Sequence, residues 1–225
     1  VLARRFPPPQ ERDIVIAAPY TALHPLGRVL RASAIQLSAQ NVHWEEQGAF
    51  TGEVSARMLL EAGCRYVIVG HSERRRLFGE QNREINLKIR AALNAGLKPI
   101  LCVGETLEER GDEKTFSVVR RQLKEGLNNL TPDDIRHAVV AYEPVWAIGT
   151  GKTAAPAQAQ EVHRFIRQMM ADLFGENLAA AIPIIYGGSV NPGNIGDLMA
   201  EIDINGVLAG GASLDIESFS KIIQF

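Results

Sequence analysis

Seven short runs of apolar, largely β-branched residues recur along this chain at intervals of roughly 30 residues, separated by longer stretches of helical character. The runs fall at 14–18, 35–39, 66–70, 99–103, 138–142, 184–186 and 206–209. Helical patterns lie between them, among others at 53–62, 84–94, 115–127, 157–173 and 192–199. Nearly all the runs are apolar throughout rather than alternating, which predicts parallel strands buried on both faces. Glycine follows Ala62 and Ala95, where helices are expected to stop. Such a repeat leaves two main architectures, an open doubly wound sheet or a closed (β/α)8 barrel. Polar residues and glycines gather after the strands, which fits the active-site loops of a barrel. Seven strands are one short of closure, and residues 1–5 read as the tail of a helix with no strand before it. The expectation is an α/β TIM barrel whose first strand and start of first helix lie upstream of the given chain.

With 225 residues, 46% hydrophobic and 22% charged, the chain has the mass for one barrel domain over 1–225, and nothing in its composition marks a linker. A net charge of −2 argues against nucleic acid or an anionic membrane surface as partner. No apolar run approaches the roughly 18 residues that span a bilayer, and residues 1–9 do not have the pattern of a secretory leader. Cys64 and Cys102 sit in apolar surroundings and read as buried free thiols of a cytoplasmic protein. His24, His43, His71, His137 and His163 are scattered without paired spacing, and there is no Cys-x-x-Cys, so a metal-free mechanism is expected. No Gly-x-Gly-x-x-Gly or phosphate-loop lysine motif indicates a dinucleotide or ATP cofactor.

Three places carry chemistry. In Gly70-His71-Ser72-Glu73-Arg74-Arg75 a buried run delivers His71 to a helix start, with Ser72 available as cap. The helix dipole disfavours the cationic ring there, so His71 can serve as a neutral hydrogen-bond donor; it can equally be a structural histidine satisfying strand-end backbone. Glu143 ends the run 138–142, where barrel strands present catalytic groups. Its flanks Tyr142, Pro144 and Trp146 suggest a partly desolvated carboxylate suited to proton abstraction. Pro144 stiffens the start of the following loop, Pro144-Val145-Trp146-Ala147-Ile148-Gly149-Thr150-Gly151-Lys152, and its glycines offer unobstructed backbone N–H groups. The plain alternative is a strand-end glutamate in a salt bridge followed by an ordinary turn. After the last two runs, Gly187-Gly188-Ser189 and Gly210-Gly211 each open a helix and bring backbone N–H groups close to an anion. Barrels most often bind phosphate at these two loops.

Together these motifs, with 99–106 and 48–53, resemble the triosephosphate isomerase family across nearly the whole chain. The resemblance implies Glu143 as the base moving a proton between adjacent carbons of a triose phosphate, and His71 as the electrophile. Ser72, Glu73 and Gly188 would support them. Gly149, Ser189, Gly210 and Gly211 would contact phosphate, beneath a lid over 144–154 that excludes water. Phe50 and Thr51 would reach into a partner subunit, implying a homodimer. The family also carries an asparagine and a lysine after its first strand, and these 225 residues hold neither segment. A preorganised charge of that kind is typically worth roughly 10²–10³ in rate. A chain of these residues alone is therefore expected to fold poorly and turn over slowly. The alternative reading is a truncated or degenerate barrel that binds phosphorylated ligands with little or no turnover. Asn205 stands where the family usually has an acidic residue, which weakens an expected pairing with Arg167.

Overall fold

A computed structural model describes residues 2–6, 12–148 and 153–225. Six parallel strands form one curled sheet in chain order: β1 Val15–Ala18, β2 Gln36–Ala39, β3 Cys64–Val69, β4 Lys98–Val103, β5 Val139–Tyr142 and β6 Ile184–Tyr186. Each pairs in parallel with its successor, so every connection must cross back along the sheet, and helices make those crossings. The seventh run, 206–209, is not a strand. Val207 makes a single bridge to Tyr186, supported by Tyr186 N donating to the Gly206 carbonyl at 2.9 Å and Leu208 N to the Tyr186 carbonyl at 2.8 Å. The segment lies along β6, but β6 offers only three residues, and glycine at 206 and 210 leaves little side chain to pack.

Burial on both faces of the strands has a direct readout in the core. Val67, Val69, Leu101, Val103, Val140 and Tyr142 join Leu59, Ile85, Ile89, Leu123, Ile166 and Met170 between sheet and helices. Their neighbours in the strands, Tyr66, Ile68, Ile100, Cys102 and Ala141, form a second cluster on the other face of the curl. Cys64 and Cys102 are buried free thiols, one in each cluster.

Helix ends follow local chemistry. The expected helix over 53–62 is shortened to Ala56–Glu61 because the Ser55 hydroxyl caps it at Met58 N, while Val54 is tied back to His43 N at 2.8 Å. Gly63 and Gly96 stop their helices with φ of +96° and +88°. The helix expected from 192 begins only at Ile195. The glycine pair 187–188 therefore opens an eight-residue loop rather than a helix. Residues 2–5 are helical, as their sequence suggests. All the groups of interest, Gly70-His71, Gly104-Glu105, Glu143 and Gly187, emerge at the same C-terminal ends of the strands.

Candidate active site

Glu143 is the first residue past β5 and is only 2% exposed. Its backbone is held on both sides: its N–H donates to the Val103 carbonyl at 2.7 Å, and Gly187 N donates to the Tyr142 carbonyl at 2.7 Å. Glycine is required next to it. A Cβ at 104 would collide with the Glu143 carbonyl, and one at 187 would stand 2.9 Å from Glu143 Cγ. Oε2 accepts from Ser72 N at 2.9 Å. Oε1 lies 2.9 Å from His71 Nε2, but the ring N–H is not aimed along that line, so this oxygen has no well-directed donor.

Gly70, at φ +73°, follows β3 and hands the chain to His71 at the head of the helix Ser72–Leu77. The cap is His71 itself rather than Ser72: Nδ1 accepts from Glu73 N at 3.3 Å, while Ser72 is buried at the first helical position and offers its backbone N–H to Glu143. Because Nδ1 spends its lone pair on the helix, the ring proton belongs on Nε2, the nitrogen 2.9 Å from Glu143 Oε1. Burial pulls the His71 pKa down, but the contact and charge of Glu143, with Glu73 behind it, outweigh burial and raise it above 6.5.

A buried charge cluster, not anticipated from the sequence, fixes this strand end. Glu80 accepts from Gly70 N at 3.2 Å, Arg74 Nε at 2.7 Å and Lys88 Nζ at 2.6 Å, and Lys88 also bonds Asn41 at 2.8 Å. Burial raises the Glu80 pKa, but Lys88 and Arg74 hold it below the ordinary value.

The loop after Glu143 is anchored by a second unanticipated carboxylate. Glu105, completely buried, accepts the Tyr142 hydroxyl at 3.1 Å on both oxygens, Trp146 Nε1 at 2.9 Å and Arg110 at 3.1 Å. Its own carbonyl takes Val145 N at 3.1 Å, and the Arg110 guanidinium lies 4.8 Å from the Trp146 ring centroid. The sequence signal was faint: an acidic residue two positions after an apolar run. Pro144 is buried, and Val145–Ala147 makes one 3₁₀ turn, with Ile148 as its cap. Gly149, Thr150, Gly151 and Lys152 lie outside the described residues.

On the other side, Gly187 and Gly188 are buried and Ser189 half-buried. A Cβ at 188 would strike the Tyr186 hydroxyl. Gly210 and Gly211 are exposed, and a Cβ at either would meet nothing within 4 Å. Packing does not demand glycine at 210 or 211. Gly210 precedes a 3₁₀ turn, Gly211–Leu214, and its carbonyl accepts both the backbone N and the hydroxyl of Ser213. Among the described residues no three His, Cys, Asp or Glu side chains converge as a metal ion would need.

Arg167 does meet Asn205, through an amide rather than a carboxylate. Its guanidinium donates to Asn205 Oδ1 at 2.6 Å and lies 3.4 Å from Asp203 Oδ1. Asn205 Oδ1 also takes Ile184 N at 2.9 Å, so it seats the start of β6.

Fold and site together define a class: an α/β barrel carrying a buried carboxylate against a histidine at the C-terminal ends of its strands, with an anchored 3₁₀ turn after the carboxylate and glycine turns beside. A family model described as triosephosphate isomerase matches residues 2–225. The chain is 54% identical to the triosephosphate isomerase of Syntrophotalea carbinolica over 215 residues, covering 96% of this chain and 85% of that one. It is 53% identical to that of Endomicrobium trichonymphae, covering 95% and 85%. A crystal structure of triosephosphate isomerase from Bartonella henselae superposes with a TM-score of 0.87 at 41% identity, covering 94% of this chain and 86% of that one. The chain belongs to the triosephosphate isomerase family.

Proposed function

We propose that this protein interconverts dihydroxyacetone phosphate and D-glyceraldehyde 3-phosphate, as an isomerase of glycolysis and gluconeogenesis, with Glu143 as the base. The observation that carries the assignment of the base is the buried Glu143 carboxylate set 2.9 Å from His71 Nε2 and 2.9 Å from Ser72 N. In that position the carboxylate is occupied by the groups that flank it. Rotation of its side chain frees it to take a proton from the carbon next to the substrate carbonyl, while His71 Nε2 turns its N–H onto the substrate oxygens. The resulting enediolate is reprotonated on the neighbouring carbon by the same carboxylate, and no atom is gained or lost overall.

Backbone N–H groups of Gly149, Gly210 and Gly211, with the Ser189 hydroxyl, would hold the phosphate. Ser72, Glu73 and Gly188 support the two reacting side chains. The loop from Pro144 to Ala154 closes over the site, hinged at Trp146 on Glu105, so that water and loss of phosphate from the enediolate are both suppressed.

The working form is a homodimer joined through the Phe50–Thr51 loop. Phe50 is 42% exposed and packs at a tilt on His43 with ring centroids 4.5 Å apart. Two buried free thiols suit the reducing cytoplasm. No helix among the described residues is long and apolar enough to cross a membrane.

A coupled assay converting D-glyceraldehyde 3-phosphate to dihydroxyacetone phosphate tests the activity, and sedimentation tests the dimer. His71→Gln is expected to lower kcat about 10²-fold. An unchanged rate would remove His71 from the mechanism.

A further inference from the structure

The helix Thr115–Gly126 buries Val118, Val119, Leu123 and Gly126, and on the same stripe it buries Gln122. A buried amide is costly unless both of its ends are bonded, and leucine or methionine would fill the place without that cost. Both ends are bonded, and to a single residue. Gly104 N donates to Gln122 Oε1 at 2.7 Å, and Gln122 Nε2 donates to the Gly104 carbonyl at 3.0 Å. Only one orientation of the amide serves both, because the N–H must meet the amide oxygen and the carbonyl the amide nitrogen.

Gly104 is the first residue past β4, buried where the backbone presses against that of Glu143. The peptide group joining Val103 to Gly104 is held at both edges. Its N–H is taken by Gln122, and its carbonyl accepts Glu143 N at 2.7 Å. In a trans peptide these two groups point in opposite directions within one plane, so fixing one fixes the other. The following peptide group is fixed by the second bond, at the Gly104 carbonyl. One residue further, the Glu105 carbonyl accepts Val145 N at 3.1 Å. The backbone on either side of Glu143–Pro144 therefore hangs from a segment oriented by one side chain. Glycine at 104 has no Cβ to restrict that orientation, so the restraint must come from outside the segment.

We infer that Gln122 is a positioning residue for the base. Its amide locks the two peptide planes around Gly104 and thereby sets where the Glu143 backbone stands, without itself touching substrate. Proton transfer is sensitive to displacements of an ångström or less, so a loose peptide here costs rate rather than binding. The inference rests on the reading of Glu143 as the base.

Two variants test it. Gln122→Met keeps the volume and loses both bonds. It is expected to lower kcat about tenfold with KM within about twofold, and to speed hydrogen exchange at Glu143 N–H while the Val67 and Val69 amides exchange as in wild type. Gln122→Glu keeps the acceptor for Gly104 N and regains the donor for the Gly104 carbonyl only when its carboxyl is protonated, the form that burial favours. Its kcat relative to wild type is therefore expected to rise about threefold or more from pH 8 to pH 6, which a role in packing alone would not produce. An unchanged kcat in Gln122→Met, exchange that quickens equally at Val67 and Val69, or a flat Gln122→Glu ratio would overturn the assignment to Gln122. A wild-type rate in Glu143→Gln would instead overturn the reading of the base, and exchange at Glu143 N–H would still decide whether Gln122 holds that backbone.

Discussion

The two sides of the site are made by opposite means. On the β3–β5 side every group is pinned by side chains: Glu80, Lys88 and Arg74 hold Gly70, Glu105 holds the Trp146 turn, and Glu143 is clasped by Ser72 and His71. On the far side, past β6, the backbone is bare and lightly supported, with Gly210 and Gly211 exposed in open space. Proton transfer needs a base fixed to within a fraction of an ångström, which buried hydrogen bonds provide. An anion needs several N–H groups converging on it, which side chains would obstruct. Hence the first side tolerates little change in packing, and the second little addition of bulk.

The largest expected effect tests the pinned side directly. Glu143→Gln removes the base while keeping its shape, and should lower kcat about 10³- to 10⁴-fold with KM nearly constant in the coupled assay. A drop confined to KM would mean that Glu143 binds rather than reacts.

Next come two glycine-to-alanine changes with opposite signatures. Gly104→Ala forces its methyl into the Glu143 carbonyl and should destabilise by about 3 kcal/mol, read from urea unfolding. Gly211→Ala should leave stability within about 0.5 kcal/mol and raise KM instead, since its methyl meets only the place proposed for phosphate. If the two exchanged signatures, the contrast between the sides would be wrong.

A pH effect of similar size comes from His163. Its folded pKa of about 4 lies below the unfolded value of about 6.5, so the unfolded chain takes up the proton first as pH falls. Stability is complete above pH 6.5 and declines toward pH 4, by up to about 3 kcal/mol. His163→Gln should flatten that acid limb in unfolding curves measured from pH 7 to 4.

The smallest effect belongs to the β6 edge. Asn205→Asp would place a carboxylate against Arg167, which already bonds this side chain at 2.6 Å. With Asp203 close by, the gain should be no more than about 1 kcal/mol, read as a small rise in Tm.

Legibility in the sequence followed range. The strands, the two glycine helix stops, and the positions of His71, Glu143 and the glycine pairs after strands all came from local pattern. The misreadings were local choices settled by distant groups. Ser72 looked like the cap because serine prefers that place, but its N–H is needed by Glu143, 71 residues away, and His71 caps instead. The run 206–209 had strand composition, yet a partner of three residues gives it a single bridge. Glu80 and Glu105 carried too weak a signal because the groups that neutralise them come from separate segments.

The sequence by itself determined the repeat, the doubly buried strands and which residues stand at their ends. These follow from side-chain polarity and backbone preference, which act over a few residues. Only the tertiary structure decided that Glu143 rests on both Ser72 and His71, that Glu105 grips the turn at Trp146, and that His163 lies between Tyr142 and Tyr186. Curling the sheet brings strand ends far apart in the chain to within 3 Å of one another, and burial there removes the water that would otherwise satisfy them.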